Sequence, residues 1–447
     1  MMKDNGWSVA AGGDALLQPP ATVLEIAHTL LRAGHESWFV GGAVRDALLG
    51  HANLDWDIAT AATPPQVQKL FRRTVPVGVD FGTVGVLDKE GVMHEVTTFR
   101  RDVHTDGRHA VVEFGVSFDE DLARRDFTIN AIAYGPDSRQ LHDPFHGQKD
   151  LRDGLVRAVG VAADRMREDR LRALRAMRFA ARFGFAIETE TWAAIRESAP
   201  HLGRLSMERV QQEIEKTMAQ VDRPGDAFRL WRDGGAFAVL APELASISDI
   251  ARATLDRLPR ARDGSAEQQQ HTVNRLTALV LDVQPAAARD LLRALRFSNE
   301  RVRWIGDIVE RWHVLHASIS EALHDESVSE ETVRRWVSAI GRTRVHALFA
   351  VLDARFAAED RDARPNRREG VRALREHAEQ IALRDPLETG DLAIDGGDLM
   401  KAGIKAGPQL GATLRGLLDW VLEDPARNTN DQLLARVREL AGVSPHS

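Results

Sequence analysis

Two aspartates separated by a single residue form the most chemically suggestive pattern in the sequence. Asp55 and Asp57 stand in the stretch LDWDIAT, whose alternation of apolar and polar residues predicts a β-strand. Side chains two positions apart on a strand point to the same face, so the two carboxylates would share one small volume. Like charges that close together favour a cation between them, and carboxylate oxygens are ligands that suit Mg²⁺.

A glycine pair upstream predicts a phosphate-binding turn. The stretch FVGGAVRDALLG reads as a short apolar strand, two glycines and a helix. The backbone at Gly42 can then bind a phosphate, and Arg45 stands where a phosphate oxygen needs a cationic donor. A third acid, Glu95, follows in a second alternating strand, MHEVTTFR. Three acids beside a glycine turn are typical of two-metal phosphoryl transfer. A D-x-D pair alone would more commonly be solvated or cap a helix.

A helix with arginines at every third position predicts a surface that reads nucleotides. In EDRLRALRAMRF one helix face would carry one carboxylate and three guanidinium groups, those of Asp169, Arg172, Arg175 and Arg178. Cytosine and adenine both present an amino donor beside a ring-nitrogen acceptor. An aspartate that accepts and an arginine that donates therefore match C and A, and they clash with U and G. A solvated charged helix face is the alternative.

The rest of the sequence suggests several domains of two kinds. The 447 residues are 43% hydrophobic and 28% charged, a globular composition. Up to about residue 155 the patterns mix short strands and helices, whereas helical periodicity dominates from Met166 onward. We therefore expect an α+β fold, in which a mixed sheet with helices precedes an all-helical remainder.

Charge and cysteine content exclude some classes of protein. The net charge of −7 argues against a uniformly basic nucleic-acid binder, although a local cationic cleft stays possible. Because there is no cysteine, the chain forms neither disulfides nor thiolate zinc sites. The first twenty residues lack the pattern of a secretory signal, and no apolar run is long enough to span a membrane. We expect a cytoplasmic protein without a membrane partner.

Six motifs in a fixed order carry a family resemblance: GGAVRDALLG, LDWDIAT, HEVTTFRRD, DLARRDFTINAIAY, DPFHGQKDL and EDRLRALRAMRFAARFGF. Together they resemble the class II tRNA nucleotidyltransferases, the CCA-adding enzymes of the polymerase β superfamily, and the related bacterial poly(A) polymerases. The similarity is dense over residues 37–190 and thinner through 205–216 and 394–421. It implies a polymerase-β-like nucleotidyltransferase head domain (20–155), a helical neck with the nucleotide-recognition helix (156–225), a helical body (226–365) and an RNA-binding helical tail (366–447).

The resemblance also implies an activity and roles for particular residues. The expected enzyme adds CCA, or part of it, to tRNA 3′ ends from CTP and ATP without a nucleic-acid template and releases pyrophosphate. By position in the motifs, Asp55 and Asp57 would hold Mg²⁺ and Glu95 would complete the catalytic set. Base choice would belong to Asp169 and Arg172. The nucleotide would also contact Gly42, Arg45, Arg125, Arg175 and Arg178.

Some features leave alternatives open. Arg125 and Asp126 could instead form an internal salt bridge that fixes the sheet to the neck. The cluster RPNRREGVRALR (364–375) could contact the acceptor and T-stem of tRNA, or be a solvated helix face. Residues 100–123, polar and glycine-bearing, predict a mobile loop similar to the one through which complete CCA-adding enzymes shift from C to A. An aromatic residue often seen in that loop is absent, and His104 lies in its vicinity.

Two other functions are weighed against CCA addition. A bacterial poly(A) polymerase would carry a basic, arginine-rich signature after the D-x-D, and FRRTVPVGVDFGTVGV lacks it. A non-catalytic RNA-binding protein with a decayed transferase domain would be expected to lack one of the acids, yet Asp55, Asp57 and Glu95 are all present.

Overall fold

A computed structural model of the chain describes residues 17–51, 55–105, 110–259, 266–323, 328–359 and 365–440. The chain divides into two compact units, Met1–Ser246 and Ile247–Ser447. The four-domain division made from the sequence stays a prediction.

All strands of the described residues lie in the first unit. They are β1 (Ser37–Val40), β2 (Asp57–Thr60), β3 (Thr74–Gly78), β4 (Thr83–Leu87), β5 (Met93–Thr98), β6 (Arg100–Thr105), β7 (Ala110–Phe114), β8 (Ala133–Tyr134), β9 (Leu141–His142), β10 (Leu155–Val156) and β11 (Ala186–Ile187). Seven of them form a mixed sheet in the order β3-β4-β5-β2-β1-β8-β9. In that sheet β2 and β5 are parallel, and the other neighbours are antiparallel.

The helices of the first unit surround this sheet and continue beyond it. They are α1 (Ala21–Arg32), α2 (Gly42–Leu48), α3 (Pro64–Leu70), α4 (Phe118–Ala123), α5 (Gly147–Asp153), α6 (Ala162–Glu168), α7 (Leu171–Phe183), α8 (Thr189–Ser198), α9 (Met207–Gln220), α10 (Pro224–Asp233) and α11 (Ala236–Leu240). The strand–turn–helix opening predicted around the glycine pair is confirmed by β1 and α2. Helix α7 packs on α9 and α10.

One face of the sheet packs into the core, and the other carries the acidic residues. Ile58, Val84 and Val96 point to one face and are fully buried, with α3 packed on β4 and β5. Because side chains alternate along a strand, Asp57 and Glu95 point to the opposite face. The apolar strand positions therefore build the core and leave the acids on the other side, as the alternation predicted.

The segment predicted as a mobile loop is a β-hairpin followed by a helix. Strands β6 and β7 pair in antiparallel fashion, with Arg101 opposite Glu113, and α4 begins with a capping box formed by Ser117 and Glu120. The prediction of a loop was wrong because the polar and glycine residues obscured the alternation in the two strands, whereas the mobility of the segment stays a prediction. Residues 106–109 at the tip lie outside the described residues, as does the side chain of His104.

Helices dominate after the head domain, as predicted. The exception is β11, which pairs in parallel with β10. Such two-residue strands have no periodicity that a sequence pattern could reveal.

The second unit is built around one predominantly apolar helix, α17 (Val345–Glu359). Its helices are α12 (Asp249–Arg257), α13 (Ala266–Val280), α14 (Pro285–Ala294), α15 (Asn299–Ala322), α16 (Glu330–Ile340), α17 (Val345–Glu359), α18 (Pro365–Arg384), α19 (Gly396–Lys401), α20 (Pro408–Glu423) and α21 (Asn430–Leu440). Helix α17 is surrounded by α12, α13, α15, α16 and α18, which explains its apolar sequence. Nowhere in the described residues is a helix both long enough and apolar enough to cross a membrane.

Candidate active site

Two of the three predicted acids, Asp57 and Glu95, lie where two parallel strands run side by side. Strand β2 starts at Asp57, and its next residue, Ile58, pairs with Val96 of β5. This register places Asp57 beside Glu95 on the same face of the sheet. Asp55 is exposed and precedes the strand by two positions. Trp56 between the aspartates is buried, as predicted, whereas Leu54 lies outside the described residues.

The Asp57 carboxyl group is the most perturbed acid of the site. Its burial and the nearby charges of Glu95 and Asp55 raise its pKa to about 7, with Arg125 acting in the opposite direction. A carboxylate that is repelled by its acidic neighbours is well suited to bind a divalent cation, because the cation would offset the repulsion. The donor set thus fits a hard metal ion, which takes oxygen ligands.

The predicted metal ligands do not form a group of three in the described residues. Among the described residues, no group of three or more His, Asp or Glu side chains is close enough to hold a metal ion. The assignment of Asp55, Asp57 and Glu95 to a shared metal site therefore stays a prediction.

The glycine turn brings the backbone close to the acids. Gly41 has φ +74°, a conformation that favours glycine, and a Cβ there would lie 3.3 Å from Arg125 Nη1 and 4.0 Å from Asp57 Oδ2. Gly42 is the first residue of α2. The turn therefore places the start of a helix beside Asp57 and Arg125, an arrangement suited to an anion next to a metal.

Arg45 is buried and bonded to protein partners, which the sequence did not indicate. Its guanidinium group pairs with Asp46 at 2.6 Å, donates to Asn130 Oδ1, and lies over the rings of Phe179 and Phe183 at 5.1 and 4.8 Å. Burial lowers its pKa below the ordinary value, although Asp46 acts to raise it. Arg45 still lines the cleft, so its predicted contact with a triphosphate stays a prediction.

A cleft of about 590 Å³ opens beside the acids. Its size falls in the usual range for small-molecule sites. Nine arginines and one lysine line it, against four acids, so its lining is strongly cationic even though the whole chain is acidic. All predicted site residues except Asp55 line this cleft: Asp57, Glu95, Gly42, Arg45, Arg125, Asp169, Arg172, Arg175 and Arg178.

The arginines of α7 are fixed by protein partners. Arg172 donates to Glu168 Oε2 and to the carbonyl oxygen of Arg124, both at 2.8 Å. Arg178 Nε donates to Glu213 Oε2 at 2.7 Å. Arg172 and Arg178 are both buried, so the alternative of a solvated charged face is wrong.

Asp169 does not belong to the helix on which its spacing placed it. Helix α6 ends at Glu168, and Asp169 has extended φ and ψ angles of −144° and 105°. Its Oδ1 accepts from the backbone N–H of Leu171 at 3.0 Å, and its Oδ2 accepts from Arg209 at 2.7 Å. The carboxylate is thus held at the start of α7, near Arg172.

Arg125 and Asp126 pair with different partners. Arg125 Nη2 lies 3.1 Å from Asp121 Oδ2, and Asp126 Oδ2 lies 2.7 Å from Arg175 Nη2. The suggested internal salt bridge between the adjacent residues is therefore wrong. Burial disfavours the charged form of Asp126, but Arg175 and a hydrogen bond from Asn130 outweigh it and lower its pKa to about 2. Asp126 links the head domain to α7.

Several residues that support the cleft were missed by sequence reasoning. Glu168 holds Arg172, Arg209 holds Asp169 and Glu213 holds Arg178. Glu213 is almost fully buried, which is unusual for a carboxylate unless it is paired. Arg209 and Glu213 lie on α9, in the stretch LSMERVQQEIEK, whose thin similarity to the family was the available signal.

A mixed sheet with coupled carboxylates beside a glycine turn, facing an arginine-lined cleft, defines a nucleotidyltransferase of the polymerase β type. Comparison with known families agrees: residues 37–157 match the family described as "Poly A polymerase head domain", residues 184–248 match "Probable RNA and SrmB- binding site of polymerase A", and residues 267–437 match tRNA nucleotidyltransferase domain 2.

Full-length relatives narrow the class. The CCA-adding enzyme of Geobacillus kaustophilus is 35% identical over 95% of this chain and 98% of the relative, and that of Streptococcus mutans is 33% identical over 93% and 96%. The crystal structure of the Bacillus stearothermophilus CCA-adding enzyme in complex with CTP superposes with a TM-score of 0.73, at 31% identity and over 95% and 98% of the two chains. The chain belongs to the CCA-adding enzyme family of tRNA nucleotidyltransferases.

Proposed function

We propose that this protein adds the CCA sequence to tRNA 3′ ends from CTP and ATP, without a nucleic-acid template. The observation that carries the proposal is the cationic cleft of about 590 Å³ that joins Asp57 and Glu95 to the Asp169 and Arg172 side chains. Family membership supports the same conclusion, because the relatives are CCA-adding enzymes along nearly their whole length.

The metal in this proposal is Mg²⁺, held by Asp55 and Asp57. When bound there, it would polarise the α-phosphate of the nucleotide and stabilise the charge that develops in the transition state. The raised pKa of Asp57 supports the assignment. A cation next to the carboxylate would offset the burial and the acidic neighbours that disfavour its charged form.

The protein groups would position the two reactants. Gly41 and Gly42 let the triphosphate approach the start of α2, and Arg125 offers a cation beside the turn. Glu95 lies on the strand next to Asp57 and would orient the 3′-hydroxyl that attacks the α-phosphorus. Pyrophosphate then leaves. Positioning and electrostatic stabilisation supply most of the catalysis in this class of reaction.

Base choice would depend on Asp169 and Arg172. Because Arg209 and Glu168 fix these two side chains, an acceptor and a donor can be presented in a constant geometry. A uracil or guanine would place a carbonyl against the carboxylate and an N–H against the guanidinium group. The resulting unpaired buried groups, rather than a steric clash, would reject UTP and GTP.

The RNA partner would be the acceptor and T-stem region of tRNA, bound by shape and phosphate contacts, with the tail at 366–447 contributing. In the basic cluster 364–375, residue 364 and the side chains of residues 365–369 lie outside the described part of the chain. A cytoplasmic location is part of the proposal, supported by the lack of cysteine and by the tRNA substrate.

Single-nucleotide extension of defined RNA ends tests the proposal. Purified protein is incubated with tRNA ending at the discriminator base, after the first C, or after both C residues, each with one labelled nucleotide, and product length is read on a gel. We expect CMP on the first two ends and AMP only on the third, with growth stopping after the terminal A. Long adenylate tails on all three ends would instead indicate a poly(A) polymerase, and no extension would refute a transferase.

A further inference from the structure

One edge of the seven-stranded sheet carries exposed apolar side chains. Twelve large apolar residues are exposed in the described part of the chain, and five of them lie between residues 75 and 93. Val75, Val77 and Met93 are 37%, 44% and 40% exposed. A concentration of this kind commonly marks a binding surface, whereas single exposed apolar residues are ordinary. These three side chains are called the apolar platform below.

The apolar platform lies on the same face of the sheet as the acids. Val75 of β3 pairs with Gly85 of β4, and Gly85 pairs with Glu95 of β5. Residues that stand opposite each other on neighbouring strands share a face. Val75, Gly85 and Glu95 therefore form one row across the sheet, with the acid at its inner end.

Gly85 explains how the apolar platform fits so close to the acid. A Cβ at Gly85 would lie 2.7 Å from Met93 Sδ and 2.9 Å from Val77 Cγ2. Both side chains thus lie directly over the Gly85 backbone, where any larger residue would displace them. The result is an apolar surface that is continuous with the Glu95 position.

The nucleotide cleft and the apolar platform lie on different sides of Glu95. In the sheet order, β2 and β5 carry the acids, β1 with the glycine turn lies on one side of them, and β4 and β3 lie on the other. The cleft includes Gly41 and the α7 arginines, and on β4 and β5 it reaches Thr83 and Thr97. Met93 lies on the other side of Glu95 along β5, and none of the three platform residues lines the cleft. In-line transfer places the attacking and leaving oxygens on opposite sides of the phosphorus. The RNA end should therefore approach over β4 and β3.

We propose that the apolar platform binds the unpaired nucleobase at the 3′ end of the RNA that is being extended. This inference rests on the proposed function of the cleft. Every nucleobase has an apolar face, so contact with that face tolerates any base. Such tolerance suits an end whose last base changes after each addition. Methionine suits the task too, since its flexible and polarisable side chain contacts rings of different shapes.

A second copy of the chain is the competing occupant of an exposed sheet edge. Strand β3 is poorly suited to edge-to-edge pairing, because Pro76 lacks a backbone donor and the register shifts between Pro76 and Gly78. These features blunt the edge without covering the apolar face. The edge is therefore unsuited to pairing with another strand, whereas the apolar face stays accessible to a base that stacks on it.

Two substitutions that nearly preserve size test the proposal: Val75→Thr and Met93→Gln. Each makes the surface polar while keeping a side chain of similar volume, and thermal unfolding shows whether the fold is intact. Val161→Thr is the matched control, because Val161 is exposed but precedes α6 and is not on the sheet. Initial rates of CMP addition give KM for CTP and KM for tRNA that ends at the discriminator base. The same tRNA with an abasic 3′-terminal nucleotide serves as a second substrate.

With normal tRNA, we expect each platform variant to raise KM for tRNA about fivefold, in keeping with the usual energy of base stacking, and to leave KM for CTP and the midpoint of unfolding unchanged. With the abasic tRNA, the KM of the wild-type protein for tRNA should rise by about the same factor. The platform substitutions should raise that KM no further. The control should behave as wild type.

Three results would overturn the proposal. One is an unchanged KM for tRNA in both platform variants. Another is an equal loss on normal and abasic tRNA, which would place the contact elsewhere. The third is a wild-type dimer, by sedimentation, that the variants dissociate, which would assign the face to a second copy. A wild-type chain that extends no RNA would refute the proposed function itself, and the platform with it.

Discussion

At the residue scale, the cleft depends on side chains that hold other side chains. Asp126 is the clearest case, since its side chain is only 10% exposed, pairs with Arg175 and has a pKa lowered to about 2. A carboxylate with a lowered pKa contributes stability at pH values above its unfolded pKa of 3.8, and that contribution is lost as pH falls towards 2. This sets a pH window for a stability experiment.

We predict that Asp126→Asn lowers the free energy of unfolding by roughly 2 kcal/mol at pH 7, and that the difference from wild type shrinks steadily between pH 5 and pH 3. Urea unfolding across that range measures it. Asp80→Asn, at an exposed position, should show no such trend. A difference that stays constant with pH would mean that the ion pair is not the source of the stability.

Arg209 is predicted to determine selectivity through Asp169. Its guanidinium group fixes one carboxylate oxygen while the Leu171 backbone fixes the other, so Arg209→Gln should let the carboxylate rotate. We expect the ratio of kcat/KM for CTP to that for UTP to fall about tenfold, equivalent to about 1.4 kcal/mol. Arg196→Gln, at an exposed position on α8, is the control. An unchanged ratio in Arg209→Gln would contradict the base-reading role of Asp169.

At the scale of elements, the sequence predicted the helices and strands that carry a clear motif or a clear periodicity. The β1–turn–α2 unit and helix α7 were predicted, because glycines mark the turn and apolar spacing marks the helix. The β6–β7 hairpin and the two-residue strands were not predicted, because short strands have little pattern. Nor did the pattern show that α7 starts only after Asp169, since a three-residue spacing does not distinguish a residue inside a helix from one that precedes it.

The hairpin gives a prediction about the final nucleotide. Arg101 and Glu113 face each other across β6 and β7, with Nη2 and Oε2 2.9 Å apart. Replacing residues 102–112 by Asn–Gly therefore shortens the hairpin to a two-residue turn and keeps this pair. If the segment serves the shift from C to A, AMP addition to tRNA ending in CC should fall at least about tenfold, whereas CMP addition should persist. CMP addition by the same variant is the internal control, and equal loss of both activities would refute a specific role.

At the scale of the whole molecule, the proposed function requires an acidic chain to bind a polyanion. The net charge is −7, yet the lining of the cleft is cationic, so the proposed RNA binding would depend on local cationic clusters. The buried supporting acid Glu213 could not be foreseen from spacing, since it lies on α9 and meets Arg178 of α7 only in the fold. Glu168, by contrast, lies four residues before Arg172, a spacing that a helix brings together. Sequence motifs located the site, whereas the partners that position it required the tertiary structure.

Binding to tRNA should accordingly be strongly dependent on salt. Each phosphate that the protein neutralises releases counterions, so the logarithm of the affinity should fall linearly with the logarithm of the salt concentration. We predict a drop of at least about tenfold between 50 and 200 mM salt, as expected for several phosphate contacts. Filter binding with full-length tRNA measures it. An affinity that does not change with salt would contradict phosphate recognition.

The central claim, that Asp57 lies at the centre of a transferase selective for C and A, is tested most directly by comparing wild type with Asp57→Asn in extension of tRNA that lacks CCA. Each protein receives CTP and ATP together, or UTP and GTP together, and equal midpoints of thermal unfolding confirm intact folds. The account predicts that wild type adds nucleotides from CTP and ATP alone, and that Asp57→Asn adds none. Extension by Asp57→Asn at the wild-type rate would contradict the account.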